Sequence, residues 1–181
     1  MCSSDLVQVL GHDLDHHPHL IKTFIGVQLQ TSGYYPNLNL TELIQLFNGL
    51  YNQSVEPLTL LDKVNLRDKA RSKYKQLSGG QKQRFSIATT LINRPKIIFL
   101  DEPTTGLDPQ ARRSLWQMIK EIRALGTTVI LTTHYMDEAE ELCDRVAIID
   151  SGRIIALDSP DRLIDQLVSS GFERQIGRAH V

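Results

Sequence analysis

The sequence is poor in cysteine: Cys2 and Cys143 are the two thiols in 181 residues. Two thiols so far apart exclude a disulfide framework and a four-thiolate zinc site, and a reducing cytoplasm is the simplest setting. Long apolar runs are lacking as well. Stretches such as residues 97–100 and 129–131 are of strand length, far below the roughly 18 residues that suggest a membrane-crossing helix. Any work at a membrane therefore needs a partner to supply the span. Charge is nearly balanced, at a net −1 with no long basic run, so nucleic acid is not an expected partner. What is present, 41% hydrophobic and 23% charged residues, suits one globular domain able to bury a core.

The two ends read as foreign to the rest. Met1-Cys2-Ser3-Ser4-Asp5-Leu6 and Ile176-Gly177-Arg178-Ala179-His180-Val181 match neither a secretory signal nor the patterns beside them. They are expected to be translated adaptor tails and are left out of fold reasoning, which leaves residues 7–175 as the domain.

Residues 7–10 and 23–29 read as short strands, separated by a polar stretch that carries His12, His16, His17 and His19. Four imidazoles invite a metal reading. Their spacing straddles Pro18, however, and no cysteine or second cluster accompanies them, so a specific site is not expected there; calorimetric zinc titration is the check. Tyr34, Tyr35 and Pro36 then mark a loop. Behind Asn39, a fitting cap, Leu40, Leu43, Ile44, Leu46, Phe47 and Leu50 recur at helical spacing. Further helical patterns at 57–64 and 68–75 make residues about 31–93 a helical insertion.

Ser78 caps a helix predicted to run to about Ile92, and Arg94-Pro95 closes it. Residues 97–100 follow as a strand apolar on both faces, as in the middle of a parallel sheet. Asp108-Pro109 places a capping carboxylate before proline at the first helical position, with Leu115, Met118, Ile119, Ile122 and Leu125 in helical period until Gly126. Residues 127–132 read as the next buried strand. Ser151-Gly152 joins two strands in a hairpin, and Ser159-Pro160 opens a last helix. Alternating strands and helices predict an α/β fold with a parallel sheet core and a helical insertion.

Two motifs carry chemistry. In Leu77-Ser78-Gly79-Gly80-Gln81, glycines permit close backbone approach, and a helix start offers N–H groups with no partner inside the helix. Together they form a phosphate site. In Ile97-Ile98-Phe99-Leu100-Asp101-Glu102, a buried strand delivers two consecutive carboxylates, one suited to a hard cation and one to activating water. Taken singly, each has a plain alternative: a serine-capped helix, or an acidic turn.

Taken together, with Pro103, Gly106, Leu107 and Asp108 after the carboxylates, these residues resemble the ATPase subunit of ATP-binding cassette (ABC) transporters, across nearly the whole of residues 7–172. The resemblance implies a P-loop NTPase-like fold, ATP and Mg2+ as cofactors, and a role for each matching residue. Ser78, Gly79, Gly80 and Gln81 correspond to the signature loop, Asp101 to the magnesium-binding aspartate, Glu102 to the catalytic base and Asp108 to the following loop. Gln30 corresponds to the glutamine that touches metal and attacking water; Gln28 lies close enough to confuse that assignment, but Gly26 and Tyr35-Pro36 fall at the family spacing for Gln30. His134, within a segment like that of drug and polysaccharide exporters, corresponds to the switch histidine.

No G-x-x-x-x-G-K-S/T stretch occurs in the sequence. The simplest expectation is a domain truncated before the Gln30 loop, its N-terminal part missing with that Walker A loop, and a chain inactive by itself. The family resemblance further implies a second ATPase subunit, as homodimer or heterodimer, an integral membrane permease subunit, and a cytoplasmic position at the inner face of the membrane. Two other functions compete: a soluble ABC ATPase of translation or DNA repair, which heptads or a second cassette would mark, and a non-catalytic regulatory cassette.

Overall fold

The structure is a computed structural model that describes residues 7–30 and 33–169; both six-residue ends set aside above lie outside the described residues. The described chain divides into two compact units, one reaching to Thr132 and one starting at Thr133.

The first unit opens with a small antiparallel pair, β1 (Gln8–Val9) and β2 (His12–Asp13), followed by helix α1 (Pro18–Phe24). The histidine-rich stretch is therefore not the plain loop expected. Asp13 Oδ1 accepts the N–H groups of Asp15 and His16 and bonds His16 Nδ1 at 2.9 Å, which closes a turn, and Pro18 then starts the helix. That side-chain hydrogen bond holds the Asp13 carboxyl below its usual range and raises His16. The strand expected from residue 23 starts two residues later, after α1.

β3 (Ile25–Gln28), β4 (Ile97–Asp101) and β5 (Thr128–Thr132) form a parallel sheet with β4 in the middle, as its two-sided apolar pattern predicts. Ile98 and Leu100 are fully buried, whereas Val27 and Ile130, in register with Phe99 between them, are half exposed. β5 is thus less buried than its composition suggests, because it is an edge of the described sheet.

Between β3 and β4 lies the helical insertion: α2 (Leu40–Tyr51), α3 (Pro57–Lys63), single 3-10 turns at Arg67–Lys69 and Tyr74–Gln76, and α4 (Gly79–Thr90). Asn39 accepts from the Glu42 N–H while Glu42 accepts from the Asn39 N–H, a reciprocal cap that starts α2. Leu40, Leu43 and Ile44 of α2 and Leu60 and Leu61 of α3 are buried. The helix predicted over 68–75 is replaced by the two 3-10 turns.

α4 packs against β3, α2, α3 and α5 (Pro109–Ala124), so it shows no single apolar stripe: Phe85, Ser86, Ile87, Ala88, Thr89 and Thr90 are buried in succession. The Thr89 and Thr90 hydroxyls donate to the carbonyls of Ser86 and Ile87 at 2.7 Å, which satisfies polar groups inside this core. Gly26 is where α4 presses on the sheet; a Cβ there would lie 2.7 Å from the Thr90 carbonyl oxygen. α5 is the amphipathic helix its sequence predicts, burying Leu115, Met118, Ile119 and Ile122.

The second unit holds α6 (Met136–Leu142), the hairpin of β6 (Val146–Asp150) and β7 (Arg153–Asp158) turning at Ser151-Gly152, and α7 (Pro160–Ser169). No helix among the described residues is long and apolar enough to cross a membrane.

Candidate functional site

Strand register assembles the first half of the site. β3 and β4 pair in parallel with Ile25 opposite Ile97 and Gln28 opposite Leu100. Continuing that offset two residues past the last pair brings Gln30 to Glu102, 72 positions away in sequence, and the Gln30 side-chain amide donates to Glu102 Oε2 at 2.9 Å. The Thr105 hydroxyl donates to the same oxygen at 3.1 Å. Gln28, the competing glutamine, is buried at the end of β3, and its amide donates to the Leu29 carbonyl. The amide that reaches the carboxylate is therefore that of Gln30.

β4 and β5 pair so that Asp101 lies opposite Thr132. The Thr132 hydroxyl donates to Asp101 Oδ1 at 2.6 Å, while the Glu102 N–H reaches both the Thr132 carbonyl and hydroxyl oxygens at 3.1 Å. Thr132 thereby braces both carboxylate residues. The bracing has work to do, because Glu102 has φ +45°, the left-handed region that costs a non-glycine residue on the order of 1–2 kcal/mol. A strained turn directly after β4 re-aims the Glu102 side chain away from the two-residue alternation of the strand. Sequence reading finds the two carboxylates but not Thr105 and Thr132, whose relevance comes only from register and turn geometry.

The second half is local. Ser78 Oγ accepts from the Gln81 N–H at 3.3 Å and Gln81 Oε1 accepts from the Ser78 N–H at 3.0 Å, a complete capping box at the start of α4. The N–H groups of the first helical turn remain without intrahelical partners and sit at the positive end of the helix dipole. The two glycines differ. A Cβ on Gly79 would meet nothing within 4 Å, whereas one on Gly80 would lie 3.1 Å from the Ala111 Cβ of α5. Gly79 leaves the helix start open to a ligand; Gly80 allows α4 and α5 to touch.

Asp108 is the N-cap of α5, accepting from the N–H groups of Gln110 and Ala111 at 3.0 and 2.9 Å. His134 lies in the second unit, with its ring 4.1 Å from that of Tyr135.

The residues fit magnesium and phosphate. Asp101, Glu102 and Gln30 offer hard oxygens at one strand end, and among the described residues no group of three or more His, Cys, Asp or Glu gathers as a closed metal cluster. Carboxylates at a strand end suit magnesium, which takes one or two of them and leaves its other positions to phosphate and water. A cleft of about 420 Å³ at the opposite, N-terminal ends of β4 and β5, lined by Lys63, Arg94, Lys96 and Glu121 among others, is separate from these residues.

A family model described as "ABC transporter" matches residues 1–105. The chain is similar to the Nod factor export ATP-binding protein I of Ralstonia nicotianae, at 37% identity over 91% of this chain and 53% of that protein. It is also similar to the daunorubicin resistance ATP-binding protein DrrA3 of Streptomyces coeruleorubidus, at 36% identity over 87% of this chain and 51% of that protein. A solved ATP-binding subunit of an ABC transporter superposes with a TM-score of 0.73 at 27% identity, covering 93% of this chain and 71% of that one. The chain spans about half the length of the curated relatives it matches.

The family match corrects the expectation of a truncated domain. It begins at residue 1, so the N-terminal region lies inside the matched domain, and the reading of a fold with its N-terminal part missing is withdrawn. That no G-x-x-x-x-G-K-S/T stretch occurs remains a property of the sequence and is not by itself evidence that a segment has been lost.

Proposed function

This chain belongs to the ABC transporter family, and on that premise we propose that it binds and hydrolyses ATP with Mg2+ as the nucleotide-binding subunit of an exporter. The observation that carries the reading is the Gln30 amide on the Glu102 carboxylate at 2.9 Å, directly beside Asp101. That arrangement supports a reading in which Glu102 is the base, Gln30 orients the water and Asp101 is the hard metal ligand. The names of the relatives, which speak of Nod factor export and daunorubicin resistance, support the exporter direction.

In this reading Asp101 holds the magnesium ion, with Gln30 as a further oxygen ligand. When bound, that ion neutralises charge developing on the transferred phosphoryl group. Glu102 accepts the proton of the attacking water, and Gln30 and Thr105 fix its carboxylate before the water arrives. His134 holds a γ-phosphate oxygen by hydrogen bonding, and Asp108 lines the nucleotide interface. Ser78, Gly79, Gly80 and Gln81 receive the phosphates of a nucleotide carried by a second ATPase subunit. An integral membrane permease subunit supplies the transport path, and the chain works at the cytoplasmic face of the membrane.

The test is the Glu102→Gln variant, which keeps the size and hydrogen-bonding capacity of the side chain but removes its basicity. MgATP binding, followed with a fluorescent ATP analogue, is expected to persist while hydrolysis is lost. Unchanged hydrolysis would remove Glu102 as the base, and absence of MgATP binding by the unmodified chain would overturn the nucleotide reading itself.

A further inference from the structure

The last ladder pair of β3 and β4 joins Gln28 to Leu100, and Gln30 lies two residues beyond it. Register brings Gln30 close to Glu102, but the final aim of its side chain depends on the Leu29–Gln30 peptide. A neighbouring side chain grips that peptide. The Gln28 amide donates to the Leu29 carbonyl at 2.6 Å. Because a peptide group is planar, fixing this carbonyl fixes the plane from which Gln30 departs. Gln28 is itself buried, at 1% exposure, beside buried Leu100. A carbonyl only accepts, so the amide nitrogen of Gln28 faces it, and Gln28 Oε1 lies inside the protein with no hydrogen-bond partner among the described residues. A buried acceptor without a partner costs stability that an apolar side chain of similar size would not. Packing therefore does not call for glutamine at this position; the grip on the Leu29 carbonyl does.

We propose that Gln28 is a positioning residue: it holds the Leu29–Gln30 peptide so that the Gln30 amide meets the Glu102 carboxylate. The proposal rests on the functional reading above for what that pair does to water; the hold itself stands on the geometry. It gives the two glutamines of this segment separate tasks. Gln30 is exposed and bonds the carboxylate, whereas Gln28 is buried and acts through the backbone. An exposed glutamine loses rotamer freedom when it settles on one acceptor, and a backbone already held in place lowers that cost.

Gln28→Met tests this, because methionine is unbranched like glutamine, fills the same space and offers no donor. Thermal unfolding is expected at the parent temperature or above, since the unpartnered acceptor goes with the amide. Proton–nitrogen NMR spectra of the full chain, without nucleotide, follow the Gln30 side-chain amide, assigned by its loss in Gln30→Ala. Glu102→Gln removes the charged acceptor and marks where that signal lies without it; in Gln28→Met the signal is expected to move toward that position. With MgATP, kcat should fall roughly 3- to 10-fold, as for loss of one hydrogen bond, at an unchanged KM. In the Gln30→Ala background Gln28→Met should add nothing. Gln28→Leu, a second apolar filling, is expected to give the same pattern. A Gln30 amide signal unmoved in both variants, or an equal loss of turnover with and without the Gln30 side chain, would overturn the proposal. Absence of turnover in the unmodified chain counts against the nucleotide reading, while the nucleotide-free spectra decide the role of Gln28.

Discussion

At the end of β4, Glu102 meets a glutamine 72 residues away in sequence, whereas at the start of α4, Ser78 and Gln81 satisfy each other across three residues. The strand-end group exists only once β3, β4 and β5 have paired in the right register, and it holds Glu102 in a left-handed conformation against its intrinsic preference. The glycine turn needs no long-range pairing and carries no such strain. In the proposed function, proton abstraction falls to the strained, over-determined element and anion capture to the relaxed, local one.

The largest expected effect breaks the strand-end group chemically. Glu102→Gln should lower the hydrolysis rate roughly 10²- to 10⁴-fold, the usual worth of a positioned general base, with the melting temperature near that of the parent. Steady-state phosphate release and thermal unfolding together check it. Next comes the scaffold that sets the register. Gly26→Ala places a methyl group 2.7 Å from the Thr90 carbonyl oxygen, where a backbone rather than a flexible side chain must yield. A destabilisation of about 1–3 kcal/mol is expected from denaturant unfolding, with hydrolysis impaired because Gln30 and Glu102 lose their alignment.

Smaller effects are expected at the glycine turn. Ser78→Ala removes one half of the capping box and should cost about 0.5–2 kcal/mol in the same unfolding measurement. Gly79→Asp should be the mildest for stability, since its side chain enters open space and a carboxylate at a helix start gains about 0.3–1 kcal/mol from the dipole. It should nevertheless repel phosphate and abolish turnover. A large loss of stability from Gly79→Asp would show that Gly79, like Gly80, is a packing position.

The same contrast explains what the sequence made legible. The Asn39 and Ser78 caps, the Asp108-Pro109 start of α5, the central strand and the Ser78–Gln81 turn depend on neighbours a few residues apart, and pattern reading finds them. Thr132 and Thr105 were invisible because nothing in their local sequence distinguishes a bracing hydroxyl from an ordinary strand or turn threonine; register and the turn after Glu102 give them their roles. The division of labour between Gly79 and Gly80 was hidden for a related reason, since it depends on where α5 lies. α1 was missed because Pro18 and the Asp13 turn start a helix inside a polar, histidine-rich stretch whose short apolar periodicity reads equally well as strand. The truncation expected from an absent motif, a short stretch before Gln30 and foreign-looking first residues is overturned by a family match that begins at residue 1.

In the proposed function the strand-end carboxylates and the glycine turn of one chain serve two different nucleotides in a pair of subunits. Mixing Glu102→Gln subunits with Gly79→Asp subunits tests it directly by ATP hydrolysis, each variant being inactive alone. In a mixed pair one site carries both defects and the other carries neither, so turnover should reappear on mixing. If turnover stays at the background of the separate variants in pairs shown to have formed, the two groups act on the same nucleotide within one chain, and the account is wrong.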